Sequence, residues 1–539
     1  MTVFTMIDPA PNTTEHSNNQ GLNHAVVNES LQKIGRETGI ILIGMIIGMI
    51  SSFVARIILI RSTSTSEYGI YSLALVIVSV LGIISVLGLR DGTARYIAFF
   101  RGKNDQENAR NTIRSSVQIV LISGIIFSVT LFFSAEFISK NIFHNVNLVV
   151  PLQIMTLALP FILLIEIFAA IFRGYGSGAP KVLFQDILTN IFFLIMLTLI
   201  ILLSLSFLSI FYAYSVSTIV VCILFIFFIK RKMHLFNRGK KYEKVSSHVT
   251  RNLLVFSVPL LFISVLNNIM HWTDTLMLGY FKTSSVVGIY NGAITLVTLL
   301  PTLLTAAAFI FIPITTELYA KNMIGEIGRC YQMLTKWVFL GTIPIFFLLV
   351  IFPKISLNFL FGPAYGGAAF PLVILSFGSM FSVFLGFNAL SLISMGRTKY
   401  IMVVSFTGML SNVVINVLLV PSYGMTGAAI GTFSSYWIVN ILNSIKLYRL
   451  TKVHPFSLSY KKLLIISAIL FVVFYLMTIL IKIKVWMVPV ILIIFLVVYV
   501  VLLLLTKSFD RTDFEVLLYI EKKTGLQLKR TKKLFRRYT

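Results

Sequence analysis

Charged side chains inside long apolar stretches are the residues of this sequence that could do chemistry. Residues 253–280, LLVFSVPLLFISVLNNIMHWTDTLMLGY, contain a single carboxylate, Asp274, one helical turn after His271. Residues 38–60 contain Arg56 in similarly apolar surroundings. A charge placed at the centre of a bilayer costs about 3 kcal/mol, so such a side chain usually faces a protein interior or a watery cavity. Asp274, His271 and Arg56 are therefore candidates for ion coupling, for gating or for binding a charged ligand.

Two further carboxylates lie near the other end of their apolar stretches. Glu166 precedes Arg173 by two helical turns, and Asp186 follows Lys181 by little more than one turn. Both carboxylates could be gate residues that pair with these cations, or they could be ordinary charges close to the membrane surface.

The composition assigns the apolar stretches to a membrane. Of the 539 residues, 57% are hydrophobic and only 12% are charged, and the mean hydropathy is +0.92. Soluble globular domains contain about 25% charged residues. Cys222 and Cys330 are too few and too far apart for a disulfide framework, and they lack the Cys and His spacing of a metal site. We expect a polytopic membrane protein without a metal or other cofactor.

The spacing of the apolar stretches predicts an all-α protein with about fourteen transmembrane helices. A helix needs roughly 20 apolar residues to span the bilayer, and such stretches recur along the whole chain. The predicted spans are residues 38–60, 69–89, 113–134, 148–172, 181–203, 207–229, 253–280, 286–315, 334–352, 366–394, 400–420, 424–445, 463–481 and 485–506.

Lysine and arginine are distributed unevenly between the two sets of connections. Connections after even-numbered spans hold 25 of these residues, whereas connections after odd-numbered spans hold 6. Because cytoplasmic connections carry the excess of basic residues, we expect a multi-pass protein of the cell membrane with both termini in the cytoplasm. The net charge of +26 then reflects topology and does not indicate nucleic-acid binding, which requires a folded basic domain. The basic residues also predict contact with anionic lipids at the cytoplasmic face.

The chain contains an internal duplication. The segments 67–74 (EYGIYSLA) and 286–293 (VVGIYNGA) share Gly, Ile, Tyr and Ala at an offset of 219 residues, and 176–181 resembles 396–399 at an offset of 220. These matches predict two six-helix bundles in the same orientation, related by a pseudo-two-fold axis along the membrane normal. The expected segments are a flexible cytoplasmic lead (1–37), a first six-helix bundle (38–229), a basic cytoplasmic linker (230–252), a second six-helix bundle (253–448), two additional helices (449–506) and a basic cytoplasmic tail (507–539).

The same offset brings Arg56 and Asp274 into correspondence. Subtracting 219 from the position of Asp274 gives Ala55, the neighbour of Arg56. Both charged residues lie roughly 7–12 Å from the outer ends of their helices, counted at 1.5 Å per residue. We expect the two side chains to pair between the bundles, either as a gate or coupling pair or as a static ion pair.

Several motifs resemble one family of membrane transporters. Residues 55–71, with Arg61 followed by SEYGIY, are similar to the stretch after the family's first helix, although residues 62–66 replace its Leu-Gly-Pro. Residues 272–280 (WTDTLMLGY), followed by VGIYN at 287–291, resemble its seventh-helix signature. Similar patterns in the second half are FGPAY at 361–365, GRTK at 396–399, Asn412 with Asn416, and PSYGMTGAA at 421–429. The family is the polysaccharide-transporter branch of the multidrug/oligosaccharidyl-lipid/polysaccharide exporter superfamily, the O-antigen-type flippases of lipid-linked oligosaccharides.

The resemblance implies two six-helix bundles around a central cavity. The substrate would be a polyprenyl-linked oligosaccharide, moved from the cytoplasmic to the outer leaflet by alternating access, for surface polysaccharide or glycoprotein glycan assembly. Because the guanidinium group suits a diphosphate, the expected phosphate contacts are Arg56, Arg90 and Arg95.

The remaining candidates would contact sugars or couple transport to an ion. Amide side chains can bind sugar hydroxyl groups, although they also join membrane helices. The amide candidates are Asn190, Asn267, Asn268, Asn412 and Asn416. We expect H⁺ or Na⁺ as the coupling ion. The coupling or gate candidates are Asp274, His271, Glu166 and Asp186.

Other functions stay open at this point. A drug or small-molecule cation antiporter of the same superfamily would need a cavity dominated by carboxylates, and Arg56 favours an anionic glycan instead. A membrane glycan polymerase or ligase would need a large outer loop with catalytic groups, whereas the outer connections are short. The sequence contains no P-loop, so ATP-driven transport by this chain alone is not expected. We expect a monomeric transporter, not an enzyme, with glycosyltransferases or polymerases as partners.

Overall fold

The protein is helical throughout its described part. The computed structural model describes residues 41, 43–232, 247–481, 483–506 and 508, apart from the side chains of residues 247, 263, 267 and 310. No strand occurs within these ranges. Eleven helices are long and apolar enough to cross a membrane, and two bent helix pairs raise the number to thirteen. The prediction of an all-α, polytopic membrane protein is confirmed. The predicted lead at 1–37, much of the linker at 230–252 and nearly all of the tail at 507–539 lie outside the described residues.

The first half of the chain forms six helical spans. They are α1 (Ile43–Ser62), α2 with α3 (Thr65–Val86 and Leu89–Gly102), α4 (Gln106–Phe137), α5 with α6 (Val149–Thr156 and Leu159–Gly174), α7 (Ala179–Leu202) and α8 (Leu208–Lys232). Within α7, the stretch Val182–Leu188 is π-helical.

The second half repeats this arrangement and adds two helices. They are α9 (Ser247–Phe281), α10 with α11 (Ser284–Val297 and Thr302–Ala320), α12 (Ile324–Ile351), α13 (Pro353–Phe361), α14 (Ala369–Leu385), α15 (Asn388–Ser394), α16 (Thr398–Tyr423), α17 (Met425–Thr451), α18 (Leu458–Leu480) and α19 (Met487–Leu505). Helix α17 corresponds to the predicted span 424–445, but its polar residues keep it outside the thirteen apolar spans.

Proline explains the bends in two spans. Helices α5 and α6 meet at 46° just before Pro160, and α10 and the first part of α11 meet at 49° where Pro301 precedes α11. Proline lacks the amide hydrogen of the helical ladder, and its ring clashes with the preceding turn. Each bend turns one half of its span relative to the other half.

The two copies of the internal repeat meet where α2 crosses α10. A methyl group on Gly69 would lie 1.7 Å from the carbonyl oxygen of Ser284, and a methyl group on Gly288 would lie 2.0 Å from that of Thr65. Thr65 and Ser284 are themselves related by the offset of 219, so the contact is reciprocal. Only glycine allows backbones to approach this closely. Equivalent residues therefore contact each other across the two bundles, as two-fold related units require.

The two ends of the bundles are called the basic side and the opposite side. The basic side carries the connections after even-numbered spans, which include Arg173, Lys321 and Arg397. The opposite side carries the connections after odd-numbered spans, which include Arg61 and Lys282. The crossing of α2 and α10 lies near the opposite side, because Gly69 and Gly288 follow shortly after these connections.

Candidate functional site

Side-chain contacts join the two halves on the opposite side. Thr65 Oγ1 lies 2.7 Å from Ser285 Oγ, next to the crossing of α2 and α10. Arg61, at the end of α1, donates from Nε to the carbonyl oxygen of Leu360 at 2.8 Å, and from Nη2 to that of Phe359. The passage between the bundles is therefore closed at this end.

Helix α9 contacts the first half closer to the basic side. A methyl group on Gly88, which has a φ of 70°, would lie 2.0 Å from the carbonyl oxygen of Ser257. The guanidinium carbon of Arg95 lies 4.1 Å from the centre of the Phe256 ring, a cation–π contact. Arg95 was predicted to contact phosphate, but it lines neither of the two cavities described next. Its place is the interface between α3 and α9.

The first cavity, here called the Arg56 cavity, lies between α1 and α7 of the first half and α10 and α11 of the second. Its volume is about 360 Å³. Its polar lining residues are Ser52, Arg56, Lys181, Asp186, Asn190, Thr295, Thr298, Thr302 and Thr305. The cavity extends from Arg56 towards the basic side, where it reaches Lys181 and Thr305. A ligand in this cavity would contact both bundles.

Two glycines bring α1 close to α7. A methyl group on Gly44 would lie 2.4 Å from Val182 Cγ1, and a methyl group on Gly48 would lie 2.6 Å from the carbonyl oxygen of Asp186. Small residues four positions apart allow membrane helices to pack this closely. The contact places Arg56, two turns further along α1, on the same cavity as Asp186.

The charges of the Arg56 cavity are unevenly matched. Lys181 Nζ lies 3.5 Å from Asp186 Oδ2, so of the two alternatives for Asp186 the structure shows an ion pair. The Asn190 amide donates to the backbone carbonyl of Asp186 at 2.7 Å. Arg56 has no hydrogen bond or ion pair with any residue that the structure describes. The cavity therefore holds a guanidinium group whose charge these residues leave unpaired.

The second cavity, here called the Trp272 cavity, has a volume of about 270 Å³. Its polar and aromatic lining residues are Ser79, Arg90, Asp91, Glu166, Tyr214, Ser264, Asn268 and Trp272. Arg90 of this cavity and Lys181 of the Arg56 cavity both lie near enough to Glu166 to act on its charge. The two cavities are therefore neighbours.

Arg173 pairs with a different carboxylate from the one that the sequence suggested. Its Nη2 lies 2.6 Å from Asp91 Oδ1 and also donates to the backbone carbonyl of Arg90 at 2.8 Å. Glu166 instead faces the Trp272 cavity. The two-turn spacing of Glu166 and Arg173 within α6 does not lead to an ion pair, because Arg173 reaches across to α3.

Asp274 lies in a polar cluster inside the second bundle. Its side chain is only 3% exposed. Oδ2 accepts hydrogen bonds from the Tyr290 hydroxyl at 2.5 Å and from Thr432 Oγ1 at 2.6 Å. Oδ1 accepts from the Asn416 amide at 3.0 Å and from the Asn412 amide at 3.5 Å. Four helices, α9, α10, α16 and α17, thus converge on one carboxylate, which we call the Asp274 cluster.

Two oxygen atoms of the Asp274 cluster lack hydrogen-bond donors within the described part of the chain. The side-chain oxygens of Asn412 and Asn416 are buried, and neither accepts a hydrogen bond within the described part of the chain. Gly431 allows α17 to approach α16, since a methyl group there would lie 2.9 Å from the Asn416 amide nitrogen. A buried acceptor without a donor is costly. The buried carboxylate itself is suited to take up a proton or to bind a small hard cation.

Two sequence predictions differ from this geometry. Arg56 and Asp274 form no ion pair, because Arg56 faces the cavity between the bundles whereas Asp274 lies inside the second bundle. Asn412 and Asn416 were predicted to contact sugars, yet both are fully buried against Asp274. His271, a coupling or gate candidate, is exposed one helical turn before Asp274 and makes no hydrogen bond to it.

Sequence reasoning also missed three residues of these sites. Tyr290 and Thr432 hold the Asp274 carboxylate, and Trp272 lines a cavity. Tyr290 lies in the repeated segment 286–293, so the duplication was a signal for it. Thr432 follows Gly431 in a stretch of small and polar residues, a pattern typical of close helix contacts in membranes.

Comparisons with known proteins agree with the resemblance. The family profile described as polysaccharide biosynthesis protein matches residues 34–319, more than half of the chain. An uncharacterized membrane protein of Methanocaldococcus jannaschii is 26% identical over 407 residues, which cover 72% of this chain and 78% of that protein. A Haloferax volcanii protein, named as a probable low-salt glycan biosynthesis flippase, is 27% identical over 207 residues, covering 38% of this chain and 43% of that protein.

A solved structure shows the same fold. The lipid II flippase MurJ, in an inward closed conformation, superimposes with a TM-score of 0.68 at 15% identity, covering 86% of this chain and 97% of that one. At this identity the likeness concerns the fold, two pseudo-symmetric helix bundles, and not the substrate. The profile match over more than half of the sequence shows that the chain belongs to the family described as polysaccharide biosynthesis protein.

Proposed function

We propose that this protein is a flippase that moves a polyprenyl-linked oligosaccharide from the cytoplasmic to the outer leaflet by alternating access. The observation that carries the proposal is Arg56, whose guanidinium group lines a cavity between the two bundles without a partner among the described residues. A cation in such a cavity favours an anionic ligand, and the planar guanidinium group fits phosphate oxygens in pairs. A diphosphate between lipid and glycan has the matching charge.

The closed opposite side suggests which step of the cycle this conformation represents. The bundles touch at Gly69 and Gly288, and the Arg56 cavity lies towards the basic side of that contact. In our proposal the basic side is cytoplasmic, both termini lie there, and this conformation accepts substrate from the cytoplasmic leaflet of the cell membrane. Release would then require α2 and α10 to separate at their crossing.

The Trp272 cavity is suited to the glycan part of such a substrate. It combines the aromatic rings of Trp272 and Tyr214 with the polar groups of Ser79 and Asn268. Sites of this kind bind ligands by apolar contact and fix their orientation by a few polar groups. Because Arg90 lies in this cavity beside Glu166, it could follow the phosphate during transport.

The Asp274 cluster is the proposed site of the coupling ion, H⁺ or Na⁺. Tyr290, which donates to Asp274, lies two residues after Gly288 on the helix that closes the opposite side. A proton or a sodium ion on the Asp274 carboxylate would weaken its hold on Tyr290. The ion would thereby change the contact of α10 with α2, which is how binding at one site biases a two-state transporter.

A translocation assay tests the role of Arg56. Purified protein is reconstituted into vesicles with a fluorescent polyprenyl-diphosphate oligosaccharide, and the rate of its appearance in the other leaflet is measured. Arg56→Gln removes charge-assisted contacts that contribute about 1.5–3 kcal/mol, so the rate should fall about 10- to 150-fold. The exposed Lys232, at the end of α8, provides the control Lys232→Gln, which should keep the wild-type rate. Wild-type flipping by folded Arg56→Gln protein would refute the proposal.

A cation antiporter is the second candidate, because Glu166 and Asp186 also line the cavities. The same vesicles distinguish the two functions if a cationic dye replaces the glycan lipid. Dye transport that depends on Glu166, without glycan transport, would favour the antiporter. In either case we propose a monomeric transporter and not an enzyme, working beside glycosyltransferases or polymerases.

A further inference from the structure

A third cavity lies on the basic side of the second bundle, away from the proposed transport path. It has a volume of about 660 Å³ and lies between the end of α17 and the start of α18. Its lining residues include the cations Arg449, Lys452 and Lys461 and the apolar side chains of Ile445 and Tyr448. We call it the Arg449 cavity.

The Arg449 cavity is strongly cationic. Arg449, Lys452 and Lys461 line it, and no Asp or Glu is among its lining residues. None of these three cations forms an ion pair within the described part of the chain. A cluster of unpaired basic groups in a membrane protein, at the side that carries most of the basic residues, favours an anionic ligand.

The backbone holds these groups around the cavity. Lys452 ends α17 in the left-handed conformation, with a φ of 58°, and its Nζ lies 5.2 Å from the centre of the Tyr448 ring. Ser457 caps α18 by accepting the amide hydrogen of Tyr460 at 3.2 Å. The chain therefore turns sharply between two long helices, and Lys461 in the first turn of α18 comes to face the end of α17.

An exposed apolar stripe leads away from the cavity along α17. Ile441, Ile445 and Tyr448 are 39%, 44% and 47% exposed, and their spacing of four and three residues places them on one helix face. Ile445 and Tyr448 also line the cavity. A free phosphate would occupy the cations and leave this stripe uncovered, whereas the acyl chain of a lipid would cover it.

We propose that the Arg449 cavity binds the headgroup of an anionic phospholipid, with an acyl chain along the stripe of Ile441, Ile445 and Tyr448. The cations neutralise the phosphate, and the apolar stripe distinguishes a lipid from a soluble phosphate. The basic tail at 507–539, with ten Lys and Arg residues, has the wrong charge to fill the cavity. The bound lipid would join α17 to α18, and so the second bundle to the two additional helices.

Native mass spectrometry of the full-length, delipidated protein tests this assignment. The protein is titrated with phosphatidylglycerol, with zwitterionic phosphatidylcholine and with glycerol phosphate, and bound adducts are counted. The test variant combines Arg449→Gln, Lys452→Gln and Lys461→Gln. The matched control removes three cations of the same region that do not line the cavity, by Lys399→Gln, Lys446→Gln and Lys462→Gln.

We expect one tightly bound phosphatidylglycerol, whose apparent dissociation constant rises about 100-fold in the test variant and stays unchanged in the control. Ile445→Ser should weaken binding of phosphatidylglycerol without affecting binding of glycerol phosphate. This single variant still tests the proposal if the triple variant folds poorly. Equal binding of the two lipids, an equal loss in the control variant, or binding of glycerol phosphate as tight as that of the lipid would each overturn the proposal.

Discussion

The crossing of α2 and α10 allows a sharp test of how the protein closes. In Gly69→Ala, the new methyl group would lie 1.7 Å from the carbonyl oxygen of Ser284. Carbon and oxygen atoms do not approach within 3.0 Å, so the two backbones must separate by at least 1.3 Å. Overpacking of this kind typically costs about 1–3 kcal/mol. In the proposed alternating-access cycle this contact exists only while the opposite side is closed. The cost would then fall on the closed state, and its population relative to an open state should fall about 5- to 150-fold.

Cysteine cross-linking measures this shift directly. Thr65→Cys and Ser285→Cys replace two side chains whose oxygen atoms are 2.7 Å apart, in a background where Cys222 and Cys330 are changed to alanine. The disulfide should form rapidly in the parent protein and much more slowly after Gly69→Ala is added.

Two further glycines complete the design. Gly288→Ala should slow cross-linking as Gly69→Ala does, because its methyl group would meet Thr65 at 2.0 Å. Gly82→Ala on the same helix is the control, since its methyl group would make an ordinary contact of 3.7 Å with Leu159. Equal cross-linking rates in Gly69→Ala and Gly82→Ala, with both proteins folded, would refute the reasoning.

Three other changes have defined outcomes. Asp274→Asn keeps the shape of the buried side chain but removes its charge, so flipping should lose its response to an imposed H⁺ or Na⁺ gradient. A response equal to that of the wild type would exclude Asp274 as the coupling site. Trp272→Ala should weaken binding of the glycan lipid without affecting binding of a polyprenyl diphosphate that lacks sugars, because Trp272 and Arg56 line different cavities. Titration of the protein with both lipids checks this. Arg61→Gln removes two hydrogen bonds between the bundles, each contributing about 1 kcal/mol. It should therefore increase labelling of a cysteine at position 285 from the opposite side. Unchanged labelling would mean that these bonds do not stabilise the closed state.

The fold was largely predictable from the sequence. The apolar stretches of about 20 residues gave the helices, and the repeat of EYGIYSLA as VVGIYNGA gave two bundles. Helix α17 was predicted as a span but is less apolar than the thirteen other spans, because its polar face is buried against α16 and α14.

The site was only partly predictable. Lys181 and Asp186 lie little more than one helical turn apart, so the sequence left an ion pair between them open as one of two alternatives, and the structure shows that pair. Arg56 was identified because a charged side chain in an apolar stretch is energetically costly in the bilayer, and in the structure Arg56 lines a cavity. The pairing of Arg56 with Asp274 was wrong, since the offset of the repeat relates positions along the chain and does not fix which way a side chain points.

Sequence alone thus determined the membrane class, the helices, the duplication and the family, because these depend on composition and on spacing within one helix or one repeat. Tertiary structure alone decided that Asp274 meets Tyr290, Asn416 and Thr432, and that Arg56 has no partner among the described residues. The physical reason is that the contacts with Asn416 and Thr432 depend on the rotation and crossing of helices more than 100 residues apart in the chain. Close glycine contacts set this geometry, and local patterns do not record it.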